Sequence, residues 1–131
     1  MSERRTGADL LALYRSLGLT QGDVCALCGI KDPESVRRQT RGDHEIKPST
    51  WFVLDAAARE RDRQVDEILE RERGKSEVLL PVWKGGRRWE SNFLNQVSML
   101  AAWVLQGEGV TVRFGLLGEP KRCEPGRWPH A

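Results

Sequence analysis

The 131-residue sequence predicts a mainly α fold with a small α+β tail. Three observations carry that expectation. Through residues 1–74, apolar residues recur at helical spacing between good cap residues. Beyond Gly74, two short runs, Glu77–Trp83 and Val110–Phe114, read as strands on either side of a further helical stretch. The texture also changes there: Trp51 precedes Gly74, whereas Trp83, Trp89, Trp103 and Trp128 follow it. The division is into residues 1–74, residues 75–117 and a flexible tail over 118–131.

Thr6 with Asp9 three residues later resembles a capping box, and Leu10, Leu13, Tyr14 and Leu17 continue one apolar face until Gly18. Thr20 caps a second helix of about two turns, with Val24 and Leu27 as its apolar pair and Gly29 as its stop. Asp32 before Pro33 opens a third, because proline lacks an N–H that the first helical position does not use. This helix runs towards Gly42. Pro48 and Ser49 then open a long helix from about Trp51 to Arg73. Its charged second half keeps only Val65, Ile68 and Leu69 as a stripe, too narrow to stand without a partner helix.

In the run Glu77–Trp83, Pro81 restricts the strand to an edge or an end. Phe93, Leu94, Val97, Leu100, Ala101 and Val104 form a wide helical face ending at Gly107, and Val110–Phe114 alternates as the second strand. The order is β-α-β. Pro120, Pro125 and Pro129 exclude regular structure near the end and predict a loose tail.

Composition excludes several classes. With 39% hydrophobic and 31% charged residues there is room for one ordinary domain or two very small ones, and none for a large enzyme fold. The net charge is +2, so any basic surface must be local. No run approaches the roughly 18 apolar residues of a membrane span, and no hydrophobic signal region follows the first residues, which predicts a soluble, cytoplasmic protein without a membrane partner. Three cysteines, Cys25, Cys28 and Cys123, make a disulfide framework unexpected. Stability should come from packing.

The first three helices have the proportions of a helix-turn-helix, in which one helix braces another that enters the DNA major groove. Leu17-Gly18-Leu19-Thr20-Gln21, then Asp23-Val24 and Gly29-Ile30, resembles the lambda-repressor-like (Cro/XRE) family over residues 6 to about 58. Ser35-Val36-x-Arg38 and the loop Gly42 to Pro48 fit that family's recognition helix and following turn. Two departures stand out: the turn between Gly29 and Val36 is one residue longer than the commonest spacing, and Gln39 stands where Trp is frequent. The longer turn, the extended fourth helix and the β-α-β segment together resemble the anti-CRISPR-associated autorepressors. That resemblance implies a homodimer joined by its C-terminal part, binding an inverted-repeat operator and repressing its own operon.

The residues suggest roles of their own. Glu34, Arg37, Arg38 and Arg41 lie within two turns, so a groove-facing edge offers guanidinium forks to guanine O6 and N7. Arg38 is the first choice for base reading, and Glu34 for accepting from cytosine N4. Gln21 and Lys31 are better placed for phosphate, with Arg41 and Lys47 as phosphate clamps. The bland alternative is a solvated helix face whose arginines pair with Asp32, Glu34 or Glu45.

Other motifs lead nowhere sharper. Cys25-x-x-Cys28 has a metal-ligand spacing, but it lies inside a helix with only Cys123, His44 and His130 elsewhere; Cys25 reads as core and Cys28 as a surface or half-buried thiol. Gly85-Gly86-Arg87-Arg88 lacks the Walker pattern and reads as a connection whose arginines touch DNA backbone or a partner's acidic groups. Trp83, Trp89 and Trp103 read as core and dimer seam rather than a stacking platform for single strands. Neither histidine has a Ser, Cys or Asp at a catalytic spacing, so no enzyme, cofactor or metal is expected. Two strands and one helix need the fourth helix or a second copy to cover them, and the second copy is preferred. The expected function is thus a dimeric, sequence-specific repressor. The alternative is an antitoxin whose C-terminal half masks a toxin.

Overall fold

The computed structural model describes residues 5–85, 88–124 and 126–130. It is mainly helical with one small sheet: α1 (Gly7–Ser16), α2 (Gln21–Cys28), α3 (Pro33–Arg41), α4 (Pro48–Glu72), β1 (Glu77–Trp83), α5 (Trp89–Gly107) and β2 (Thr111–Leu117). The helix starts follow from local chemistry. Asp9 N–H donates to Thr6 Oγ1 at 3.3 Å while Thr6 N–H donates to Asp9 Oδ2 at 2.7 Å. Thr20 and Asp23 repeat this reciprocal box at 3.1 and 2.9 Å, so α2 is capped at two donors rather than one. Asp32 accepts from Glu34 N–H at 3.0 Å, with Pro33 in the first turn of α3. Gly29 and Gly42, at φ +68° and +84°, end α2 and α3 in the left-handed conformation that only glycine adopts cheaply.

One core runs through the whole chain. Leu10, Leu17, Val24, Val36 and Leu54 from the first four helices join Phe93, Leu94, Val97 and Leu105 of α5, and these join Val78 and Leu80 of β1. The narrow stripe Val65, Ile68 and Leu69 is buried, and the helix packed on α4 is α5 of the same chain. The preference for a second copy is corrected to this extent: α5 finds cover on α4 on one side and β1 on the other. Two close approaches weld the helices. A side chain at Gly7 would collide with the backbone carbonyls of Gln39 and Thr40 in α3, and one at Gly18, φ +74°, would lie 2.8 Å from Asn92 O in α5.

The strands pair in parallel, Glu77 opposite Thr111 through to Trp83 opposite Leu117. Relative to expectation, β2 starts one residue later and runs three further. Val110 N–H is taken by Leu105 O at 3.0 Å in the turn after α5, and the ladder continues through Leu117.

Residues 118–130 are the main correction. The described ones hold no helix or strand, as the prolines dictate, but they are anchored rather than loose: Pro120 and Pro129 are buried and Cys123 and Trp128 half-buried, with exposed residues between them. Trp128 stacks on Phe93 with ring centroids 5.6 Å apart and meets Trp89 edge-on at 5.8 Å. Gln64 donates to Pro129 O at 2.6 Å, and Cys123 N–H donates to Glu90 at 3.0 Å. These ring contacts and hydrogen bonds fix the segment as a strap over α4 and the start of α5. Pro125 lies outside the described residues, as do Gly86 and Arg87. Cys25, expected in the core, is half-buried, as is Cys28. Among the described residues no helix is long and apolar enough to cross a membrane.

Candidate nucleic-acid interface

Helix α3 divides cleanly into two faces. Val36 and Gln39 are buried, whereas Glu34, Arg37, Arg38 and Arg41 recur at i, i+3, i+4 and i+7 along the outer face. Their spacing is held by one carboxylate. Glu34 lies 3.7 Å from Arg37, 3.9 Å from Arg38 and 3.6 Å from Arg41, and Asp43 lies 3.5 Å from Arg41. Of the partners weighed from sequence, Glu34 fills the role, Asp43 joins it from beyond the C-cap, and Asp32 caps the helix instead. All these pairs are solvated, and such pairs contribute about 0–1 kcal/mol each, so a phosphate or a base edge can displace them. With three guanidinium groups against Glu34 and Asp43, this stripe carries a surplus of one positive charge.

The remaining sequence candidates surround α3. Lys31 is exposed in the four-residue connection between α2 and α3, and Lys47 is exposed just before α4. Among the described residues neither has a carboxylate within ion-pair distance. Gln21 is half-buried at the start of α2 and lines a cleft of about 530 Å³ with Tyr14, Arg15, Thr20 and Pro33. Arg15 is the residue that sequence reasoning missed. Its place in the last turn of α1 reads as a complement to the helix dipole, and only the fold brings it beside the N-terminus of α2, where exposed N–H groups favour an anion.

This surface is braced from behind. Asn92 of α5 donates to Asp23 Oδ2 at 2.7 Å, so the α2 capping box is fastened to α5. Arg61 of α4 donates to the Ser16 carbonyl at 3.2 Å, closing the end of α1. Arg5 grips both oxygens of Asp55 at 2.9 Å, and that hydrogen bonding holds its proton more tightly still; its guanidinium also lies 4.5 Å from the centroid of Trp51. These charges are structural. Arg88, considered from sequence as a contact to DNA or a partner, turns instead towards its own chain, 3.8 Å from Glu90 and 3.4 Å from Glu119.

The thiols show no activation. Burial pushes Cys28 up to about 11 and raises Cys25, so both stay protonated at neutral pH. Among the described residues no cluster of three His, Cys, Asp or Glu side chains is placed to hold a metal ion. The three tryptophans separate: Trp83 and Trp89 are half-buried, whereas Trp103 is 77% exposed. No protein-family model matches the chain, and no curated protein matches it.

Proposed function

We propose that this chain is a sequence-specific DNA-binding repressor, probing the major groove with α3 as a helix-turn-helix recognition helix braced by α2. In this reading it acts as a homodimer on an inverted-repeat operator and regulates its own gene. The observation that carries the reading is the outer face of α3, where Arg37, Arg38 and Arg41 stand in register on a helix capped at both ends and clamped by α1. Arg38 reads a guanine edge. Arg37 and Arg41, with Lys31, Lys47, Gln21 and Arg15 around them, set register on the phosphates. Two copies on one face of B-DNA place their recognition helices about 34 Å apart, which requires a near-palindromic site.

Fluorescence anisotropy tests this with DNA from upstream of the protein's own gene and with shuffled DNA, each at two salt concentrations. The upstream fragment binds roughly a thousandfold tighter or more. Arg38→Ala removes about 1–3 kcal/mol per half-site and relaxes specificity, whereas Arg41→Ala weakens all sequences and lowers the salt slope by about one. Equal affinity of the wild-type chain for both DNAs overturns the proposal.

A second reading, an antitoxin with the same DNA-binding half, draws on the exposed apolar residues Met99, Trp103 and Leu116. A repressor consumes that surface in self-association; an antitoxin keeps part of it for its target. Stable capture of a neighbouring gene's product by residues of α5 and β2 would favour the antitoxin.

A further inference from the structure

The two edges of the small sheet are unlike each other. In a parallel ladder every second residue turns its N–H and C=O towards the neighbour, and the others turn theirs away. Thr111 N–H donates to Ser76 O at 3.0 Å, and Lys84 N–H donates to Leu117 O at 3.3 Å. With the observed register, residues 111, 113, 115 and 117 therefore face β1, and Val112, Phe114 and Leu116 present their backbone groups to the free edge of β2. On β1 the outward residues are 77, 79, 81 and 83. That edge is blunted: Pro81 has no N–H, and the Asn95 side chain takes both Trp83 groups, accepting its N–H at 2.7 Å and donating to its carbonyl at 3.0 Å. The β2 edge has no such protection, and among the described residues nothing pairs with it.

Two of these residues, Phe114 and Leu116, are also among the exposed large apolar side chains. Val112 and Phe114 lie opposite Val78 and Leu80 on the face covered by α5, but α5 packs mainly over β1. Beside β2 a groove of about 300 Å³ remains, lined by Phe114, Met99, Leu100, Ala102 and Trp103 with Gln96 and Gln106 at its polar side. Trp103 is 77%, Leu116 67%, Met99 57% and Phe114 43% exposed. These four leave on the order of 500 Å² of apolar surface open per protomer before any backbone is counted, against roughly 800 Å² per partner in a stable interface. The only charge on β2, Arg113, lies on the opposite face and is ion-paired with Glu77.

We propose that β2 pairs antiparallel with β2 of a second copy about a two-fold axis at Phe114. This names the contact within the homodimer proposed above and rests on that reading for the dimer alone, not for DNA binding. The register follows from the edge. Only a centre on Phe114 uses the full strand and all three outward residues: Phe114 opposes itself, and Val112 opposes Leu116. The result is a four-stranded sheet in the order β1-β2-β2-β1, with both blunted edges outermost. The two copies of Phe114, Leu116, Met99 and Trp103 fill the trough between the two α5 helices, and Gly115 lies opposite the partner's Arg113, leaving room for it.

The test is disulfide trapping without DNA in a chain whose three native cysteines are replaced by serine, with circular dichroism confirming the fold of each variant. In the pairing proposed, Phe114→Cys places two Cα atoms about 5.5 Å apart, within disulfide reach, and cross-links under mild oxidation. Val112→Cys separates its two copies by about 13 Å along the strands and does not. Light scattering on the wild-type chain gives a dimer mass, and Trp103→Glu, at an exposed site, gives a folded monomer. A wild-type monomer at micromolar concentration overturns the proposal. So does a dimer in which Phe114→Cys fails to cross-link, or in which both cysteine variants link equally. DNA titration of the same samples is scored separately, so loss of DNA binding with trapping intact would reject the repressor and leave the interface standing.

Discussion

Residues 5–73 and residues 77–117 cover their apolar surface by different means. In the first region Leu10, Leu17, Val24, Val36 and Leu54 are buried and α3 shows solvent mostly charge, although Phe52 of α4 stays 72% exposed. In the second, α5 buries one face completely while Trp103, Leu79 and Leu116 stay more than half exposed. Residues 5–73 carry thirteen acidic against twelve basic side chains, so the arginines on α3 are a local grouping rather than a regional surplus, whereas the second region groups exposed apolar side chains beside β2. The difference teaches that a chain with net charge +2 can group its charge and its exposed apolar surface in separate places. The two regions nonetheless share one core.

The sharpest way to break that comparison is to remove a side chain from the shared core. Leu94→Ala, at a fully buried position, is expected to cost about 2–5 kcal/mol and to lower a single thermal transition. Two separate transitions in calorimetry would show that the regions fold independently. Next in size, Trp128→Ala removes the strap's anchor on Phe93 and Trp89, with an expected loss of about 2–3 kcal/mol in urea unfolding. No change would return the strap to the loose tail expected from its prolines.

Smaller effects sharpen the picture of the first region. Thr20→Ala breaks one capping box and should cost about 1 kcal/mol. DNA affinity at low temperature should then change little, because Asn92 still holds Asp23. The smallest effect is acid sensitivity. The Thr6 N–H holds Asp9 below the usual carboxylate range, and Arg73 does the same for Glu108 across the ends of α4 and α5. Lys75 lowers Glu72 in the same way. A depressed folded pKa means the unfolded chain binds protons more readily. This contribution is therefore complete above the ordinary carboxylate value of about 4 and is lost as pH falls through the lower folded values. Salt should blunt the loss more at the exposed Asp9 and Glu108 than at Glu72, whose side chain is 13% exposed. A melting temperature unchanged between pH 5 and pH 2.5 would contradict it.

Much of the fold was legible because its signals are local. The Thr6–Asp9 box, the Asp32-Pro33 start, the glycine stops and the β-α-β order each depend on residues within a few positions of one another. The stripe Glu34, Arg37, Arg38 and Arg41 was readable for the same reason, since helical spacing alone puts those residues on one face. What sequence reasoning missed was non-local. The approach of Arg15 to Gln21 depends on how α1 meets α2. The strap depends on Trp128 finding Phe93, 35 positions earlier.

By itself, then, the sequence determined where the helices start and stop and which side chains share a face, because caps, proline, glycine and periodicity act over one or two turns. Both ends of β2 were set instead by the turn after α5 and by pairing with β1. The tertiary structure alone decided that α5 covers α4, that residues 118–130 fold back, and that one sheet edge is blunted while the other is bare. Those outcomes rest on contacts between residues tens of positions apart, where packing outweighs any local preference.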